Sequence, residues 1–198
     1  RHSQLRRVAT LTAIFLLAVS VPHGNAATPS LTLSEFLADN ENGLIDTFGE
    51  TSDWIELWNP GTQPATTEGW FLSDDPEEPT LWALPAFTIG AGDYAVIFAS
   101  GRDLNDPARE LHTNFRLSRS GTSNLLLSRI GNDSSVAVVS AFAPYPDQYK
   151  DTSYGLTRQT ASGAIGYFSR PTPGTANAST SVLGFVDDTT FSIDRGFY

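Results

Sequence analysis

The segment at residues 52–61, SDWIELWNPG, carries the side chains of this chain that are best suited to chemistry. It places Asp53 three residues before Glu56 and sets Glu56 between Trp54 and Trp58. Two carboxylates can act as an acid–base pair, and two indole rings can stack on the faces of a sugar. In a strand, however, alternate side chains point to opposite faces, which separates Asp53 from Glu56. We therefore predict no catalytic pair here, and we keep an exposed Trp54–Trp58 platform as a carbohydrate-binding hypothesis.

The same alternation predicts which face of this strand is buried. Ile55 and Leu57 share one side and form the natural core pair, with Asn59-Pro60-Gly61 turning the chain out of the sheet. Glu56 lies on the other side, where we expect it to face solvent or to be held by an arginine of a neighbouring strand. Large aromatic side chains are common in the cores of β-sandwiches, so a structural role for this strand is the favoured interpretation.

Other forms of catalysis find little support in the sequence. The chain has no cysteine, no Gly-x-Ser-x-Gly motif and no lysine after a glycine cluster, so thiol, serine-esterase and phosphate-loop chemistry are not indicated. His112 is the only histidine after residue 26, and a zinc site would need carboxylates for all its other ligands. We predict a hydrogen-bonded loop histidine, no catalytic residue and no cofactor other than a weakly bound calcium ion.

The calcium hypothesis rests on an acidic stretch that begins DNENG. Asp39, Glu41 and Asp46 are its candidate ligands, because calcium prefers carboxylate oxygens. In a helix–loop–helix calcium loop the glycine stands at position 6, but Gly43 falls at position 5, so the spacing does not match. A turn stabilised by Asx side chains explains the same letters and is the favoured alternative.

Short apolar runs separated by turn residues indicate how these side chains are positioned. Gly and Pro interrupt the chain too often for long helices, and several runs of five to seven residues predict an all-β sandwich or barrel. The predicted strands cover residues 31–37, 54–58, 70–72, 94–99, 125–130 and 136–142. The run 94–99 is apolar on both faces, which favours a central strand. Trp70 is predicted in the core, Trp82 half-buried in a strand, and residues 108–117 as a strand entry in preference to a helix.

An ordered series of motifs resembles a known family. SDWIELWNPG, EGWFLSDDPEEPTLWALP, IGAGDYAVIFASG, LHTNFRLSRSG, SYG and PTPGTAN are similar to the bacterial branch of the lamin tail domain, over about residues 32–177. The resemblance implies an immunoglobulin-like β-sandwich, here placed at residues 31–177, that acts in interaction or positioning and not in catalysis.

The end of the sequence is similar to a second module. After a linker of small and apolar residues at 178–186, the segment 187–198 ends in FSIDRGFY, which resembles the start of the small β-sandwich that closes chitobiase-type hexosaminidases. Bacterial proteins with this order frequently continue into a kinase-like domain of the spore-coat-protein-H type. The resemblance thus implies an alternative role, as the accessory domain of an enzyme whose catalytic part lies beyond residue 198.

The first 26 residues have the order of a secretory signal peptide. Three arginines precede an apolar run at residues 8–21, and small residues follow it before Ala26. The run is shorter than the ~20 residues that a membrane-spanning helix needs. We therefore predict a secreted or cell-envelope protein, exported through a cleavable signal peptide, with no retained membrane span.

The charge of the remaining chain limits its partners. Removing three of the 12 basic residues leaves nine against 22 acidic ones, a net charge of −13. Such a chain repels phosphate backbones, so we expect no nucleic-acid partner. The expected partners are other domains of the same chain, a cell-surface protein or a polysaccharide.

Overall fold

The computed structural model describes residues 31–157, 163–178 and 180–185. Within these ranges the chain is all-β, without α-helices, and contains no helix with the length and hydrophobicity that a bilayer crossing requires. The predicted signal peptide and the predicted second module, 187–198, lie outside the described residues, as does part of the predicted linker.

Eleven strands are formed by the described residues. In chain order they are β1 (Thr32–Leu37), β2 (Trp54–Trp58), β3 (Ala65–Thr66), β4 (Trp70–Ser73), β5 (Trp82–Ala83), β6 (Thr88–Ile89), β7 (Tyr94–Phe98), β8 (Leu125–Ile130), β9 (Val136–Phe142), β10 (Ser153–Leu156) and β11 (Ile165–Phe168). All pairings between them are antiparallel. One sheet has the order β11–β10–β1–β2–β7, a second has the order β5–β4–β8–β9, and β3 pairs with β6 alone.

The two larger sheets share one hydrophobic core, as in a β-sandwich. Ile55 and Leu57 of β2 are fully buried in it, which confirms the predicted core pair, and Leu125 and Leu127 of β8 are buried in the same cluster. In both strands the core residues stand two apart, because alternate side chains point to one face of a strand. Trp70 of β4 also belongs to this core, as predicted.

Two details of the sequence-based prediction are corrected. Trp82 is fully buried instead of half-buried, and its Nε1 donates a hydrogen bond to Asp103 Oδ1 (3.1 Å). Strand β7 lies at the end of its sheet and not in the centre. Its last residue, Phe98, is covered by the irregular segment at 111–113, whose backbone exchanges hydrogen bonds with it at 2.9 and 2.8 Å. That cover accounts for the burial of Phe98 on a strand that is not central, whereas Tyr94, Ala95 and Val96 are half-buried.

The five-stranded sheet is buried on both faces. Leu37, Trp54 and Phe98 form a second, smaller apolar cluster, separate from the main core. Because Trp54 alternates with Ile55 along β2, this cluster lies on the outer face of the sheet. The outer face is covered in part by residues 169–177, which follow β11 and which we call the strap. Strand β2 therefore has no exposed residue, although three of its five side chains point away from the main core.

Candidate functional site

Two glutamates lie side by side on the outer face of the five-stranded sheet, beneath the strap. Glu35 of β1 and Glu56 of β2 are directly opposite each other in the antiparallel pair, and both are fully buried. Like charges in this arrangement repel, and a buried carboxylate without compensation is costly. We call these two residues the carboxylate pair.

The strap supplies most of the hydrogen-bond donors that the carboxylate pair accepts. The backbone N–H of Gly174 donates to Glu56 Oε2 (2.5 Å), and Thr172 donates to Glu35 through its N–H (3.2 Å to Oε2) and its hydroxyl (3.1 Å). Ser153 of β10 donates a further hydroxyl hydrogen bond to Glu35. The carboxylate pair therefore binds the strap to the sheet.

A buried asparagine fixes the far end of the strap. The side-chain amide of Asn177 donates to the backbone oxygens of Ser34 (3.2 Å) and Leu156 (2.9 Å), which lie on the paired strands β1 and β10. Its Oδ1 lies 3.2 Å from the Thr172 hydroxyl and is the alternative acceptor for the one proton that this hydroxyl donates to Glu35. The motif PTPGTAN thus has a local explanation, because Thr, Gly and Asn each provide a donor to the sheet.

Burial makes both carboxylates weak acids. Desolvation raises the pKa of Glu56 to about 8, and the neighbouring Glu35 carboxylate adds to the rise. Desolvation also raises the pKa of Glu35, although its hydrogen bonds from Ser153 and Thr172 oppose the change. Glu56 Oε1 has no hydrogen-bond partner among the described residues. A raised pKa is a property of many catalytic acids, but here both carboxyl groups are covered by the strap.

Glu56 therefore differs from its prediction. It neither faces solvent nor pairs with an arginine; its cross-strand neighbours are Glu35 and Val96. The strap that covers it begins more than 110 residues later in the chain.

The two ligand-candidate tryptophans do not form an exposed platform. Trp54 is 1 % exposed and Trp58 is 6 % exposed, so neither ring presents a free face to a polysaccharide. Trp58 stacks on Tyr94 of β7, with ring centroids 6.3 Å apart and ring planes 12° apart. The prediction of a flat Trp54–Trp58 surface is wrong for these positions, because the strap and its neighbouring loops cover the outer face of the sheet.

Three polar atoms on this face are buried without a partner among the described residues: Glu56 Oε1, Trp58 Nε1 and the Tyr94 hydroxyl. Trp58 and Tyr94 are cross-strand partners, and Glu56 lies two residues before Trp58 on the same side of β2. Desolvation raises the pKa of Tyr94 to about 12, with a further contribution from Glu56. One donor, one acceptor and one hydroxyl thus share the same part of the sheet.

An open cleft on the described surface lies beside the strap. It encloses about 670 Å³ between residues 42–44, Asp151 and the first half of the strap. Leu37, Trp54 and two strap prolines, Pro171 and Pro173, contribute apolar surface to its lining, and Arg170 adds a positive charge. We call this opening the outer cleft. Its walls are mostly apolar, and neither member of the carboxylate pair lines it.

The calcium candidates are not brought together. Asp39 forms an ion pair with Arg119 (3.3 Å), Glu41 pairs with Lys150, and Asp46 accepts hydrogen bonds from its own turn. Within the described ranges there is no group of three or more His, Cys, Asp or Glu side chains placed to hold a metal ion. The prediction of a shared site for these three carboxylates is therefore corrected.

The favoured Asx-turn interpretation of the same stretch is confirmed. Asn40 Oδ1 accepts the N–H of Gly43 (3.0 Å), and its amide donates to Leu44 O and Ser52 O. Burial opposes ionisation of Asp46, but hydrogen bonds from Glu50, Ser52 and Phe48 outweigh it and lower the pKa of that carboxyl. The acidic stretch is thus a loop stabilised by its own side chains.

His112 is a fully buried histidine, hydrogen-bonded as predicted. A 2.9 Å hydrogen bond joins its Nδ1 to Ser100 Oγ, and its ring stacks on Phe98. Desolvation lowers the pKa of His112, although Asp46 opposes the change. Ser100 is also buried, so this serine–histidine contact offers no access to a substrate.

Asp53, Glu56 and His112 do not share a site. Asp53 lies before β2 and accepts the Asn40 N–H (3.2 Å), and burial raises its pKa to about 6. The charged groups that affect the pKa of each of these residues do not include the other two. The structure therefore does not assemble an acid–base centre from the residues that the sequence made candidates.

Sequence reasoning missed the carboxylate pair and the outer cleft. A glutamate at position 35 inside the apolar run TLSEFL was the one available signal, because a charge within a buried strand requires a partner.

Compared with known proteins, the chain matches no family model and no curated protein.

Proposed function

We propose that this chain is a non-catalytic, exported interaction module, built on an immunoglobulin-like sandwich of the lamin-tail type. The proposal rests on the position of the two buried glutamates relative to the open cleft. The carboxylate pair is used in hydrogen bonds that hold the strap, whereas the outer cleft beside it is open and mostly apolar. A site of this kind binds a surface and performs no proton transfer by the carboxylate pair, since neither Glu35 nor Glu56 lines it.

The occupant of the outer cleft is proposed to be an apolar segment that carries an acidic group opposite Arg170, from a cell-surface protein or from another domain of the same polypeptide. Pro171 and Pro173 make one wall rigid, which reduces the entropy lost on binding. Arg170 is exposed at the rim, where a charge affects the rate and specificity of association. The acidic character of the whole chain argues against a nucleic-acid ligand.

A charge-reversal experiment tests this proposal. The immobilised full chain is probed with surface-protein extract and with purified cell-wall polysaccharide, alongside the variants Arg170→Glu and Arg109→Glu. Arg109 is exposed on a different loop, so it controls for the charge change. We expect a ligand from the surface-protein extract to lose most of its retention with Arg170→Glu only. Equal retention of the ligand by Arg170→Glu and Arg109→Glu would refute the proposal. Hydrolysis of a chromogenic ester, glycoside or phosphoester by the wild type, abolished in Glu56→Gln, would also refute it.

A further inference from the structure

Strand β9 is a sheet edge that differs from the other edges of the two larger sheets. It has seven residues, VAVVSAF, and among the described residues it pairs with one strand only, β8. Its Ser140 side chain also accepts hydrogen bonds from the Thr32 hydroxyl (3.0 Å) and the Leu33 N–H (3.1 Å) of the opposite sheet. The strand contains no charged residue, no proline and no glycine, and all four residues from Val136 to Val139 are exposed. An unpaired, uncharged strand of this length is a template for another strand, and natural proteins normally prevent such pairing.

The other three edges show the usual protection. Strand β5 has two residues only, and β11 is covered by Val182, which exchanges backbone hydrogen bonds with Tyr167 at 2.8 and 3.0 Å. The end of β7 is bridged by residues of the following loop, through Phe98 with His112 and Ser100 with Arg116. The described part of the chain thus protects three edges and pairs no strand with the free side of β9, which leaves this edge available to a partner.

The face next to this edge is also uncharged. Cross-strand partners form a row over all four strands of the sheet: Ala83, Phe71, Ser128 and Val138. Ile130 lies two residues after Ser128 and Val136 lies two residues before Val138, so these two side chains are on the same face and opposite each other. Ile130, Val136, Val138 and Val139 are between 40 and 49 % exposed. A group of apolar side chains around one edge is typical of a protein–protein contact.

We propose that β9 pairs with β9 of a second copy of this chain, antiparallel and around a twofold axis near Val139. A twofold interface must be self-complementary, and an uncharged strand of Val, Ala and Ser meets this condition in either direction. The chain carries a net charge of −10, so most pairs of surfaces repel, whereas β9 brings no carboxylate to the contact. The two four-stranded sheets then form one eight-stranded sheet.

The contact is expected to be weak and reversible. A seven-residue strand is about 24 Å long, and it provides fewer residues than the roughly 20–30 per partner of a standard interface. A β-bulge at Val139, where β9 has one residue more than β8, also interrupts the regular ladder. We therefore expect a dissociation constant on the order of 10–100 µM, within the range of weak complexes.

Sedimentation velocity of the full chain, from about 5 to 500 µM, tests the proposal against two variants. Val138→Lys places a charge on the open edge, and Leu183→Lys makes the same change at a residue that is 88 % exposed elsewhere. We expect the wild type and Leu183→Lys to reach the mass of a dimer, more so at high salt, and Val138→Lys to weaken the dimer at least tenfold. Thermal unfolding of each variant establishes that it is folded.

Cysteine cross-linking supplies an independent readout, since the chain has no cysteine of its own. With an added oxidant, Val139→Cys should form a disulfide-linked dimer much faster than Leu183→Cys, because the two copies of residue 139 lie near the twofold axis. A wild-type chain that stays monomeric to 500 µM, a dimer insensitive to Val138→Lys, or equal cross-linking of both cysteine variants overturns the proposal. Binding of β9 to a strand of a different protein, with no self-association, also overturns it.

Discussion

Replacing Glu56 with glutamine removes the ionisable group that the strap covers and leaves its shape almost unchanged. In the folded chain the pKa of Glu56 is raised from 4.5 to about 8 by burial. The folded state therefore binds more protons than the unfolded state between these two values. The contribution of the protonated Glu56 side chain to the unfolding free energy is fully present below pH 4.5 and is lost as the pH rises through about 8.

The size of the effect follows from the two pKa values. Each pH unit between 4.5 and about 8 can change the unfolding free energy by about 1.4 kcal/mol, which gives at most about 5 kcal/mol for the full range. Glutamine stays neutral and can still accept the Gly174 N–H through its amide oxygen. We therefore expect Glu56→Gln to match the wild type within about 1.5 kcal/mol at pH 5, and to be the more stable protein by several kcal/mol at pH 9.

Urea unfolding followed by far-ultraviolet circular dichroism, at pH 5, 7 and 9, measures this difference. Glu68→Gln is the matched control, because Glu68 is exposed and the charge change is the same. Hydrogen exchange of the Gly174 amide adds a local readout, which should become faster between pH 7 and 9 in the wild type beyond the intrinsic increase. Parallel pH profiles for the wild type and Glu56→Gln would refute the reasoning, since the buried carboxyl would then ionise without cost.

Three further outcomes follow from the described contacts. The ring protons of His112 should titrate in nuclear magnetic resonance with a midpoint below pH 6.5, because burial disfavours the charged imidazolium. The unfolding free energy should therefore fall as the pH drops below 6.5, since the unfolded state then binds more protons. A midpoint above pH 6.5 would contradict this expectation. Asp46→Ala removes the acceptor of three hydrogen bonds, including the one from the Ser52 hydroxyl (2.9 Å). Urea unfolding should show that this variant loses about 1–3 kcal/mol of unfolding free energy. Asp106 is exposed, so Asp106→Ala serves as the control and should change the unfolding free energy little. Calcium and a chelator should give equal thermal midpoints, since Asp39 and Glu41 are each paired with a basic side chain; a higher midpoint in calcium would restore the metal hypothesis.

Local patterns predicted the strands well where they reflect a single element. The period-two alternation of Ile55 and Leu57 indicated a strand and its buried face, and the apolar runs at 125–130 and 136–142 coincide with β8 and β9. These features depend on the pleat of one strand, which the sequence contains directly. Strands of two residues are too short to show a period, and β6 was not predicted for this reason.

The environment of Glu56 could not be predicted in the same way. Its burial depends on Gly174, which lies 118 residues later and whose donor is a backbone N–H, a group that every residue except proline carries. The position of β7 at a sheet end likewise depends on which strands pair, and the burial of Phe98 on that strand reflects cover by the 111–113 segment. Contacts between distant segments therefore account for what local patterns missed.

The strap also determines when this fold can form during synthesis. Glu35 belongs to the first described strand, but Thr172, which satisfies it, leaves the ribosome 137 residues afterwards. At synthesis rates of roughly 5–20 residues per second, the early strands wait about 7–30 s before their last partner exists. The nascent chain thus cannot complete its five-stranded sheet and strap until most of it has been translated, and chaperones can bind it in that state.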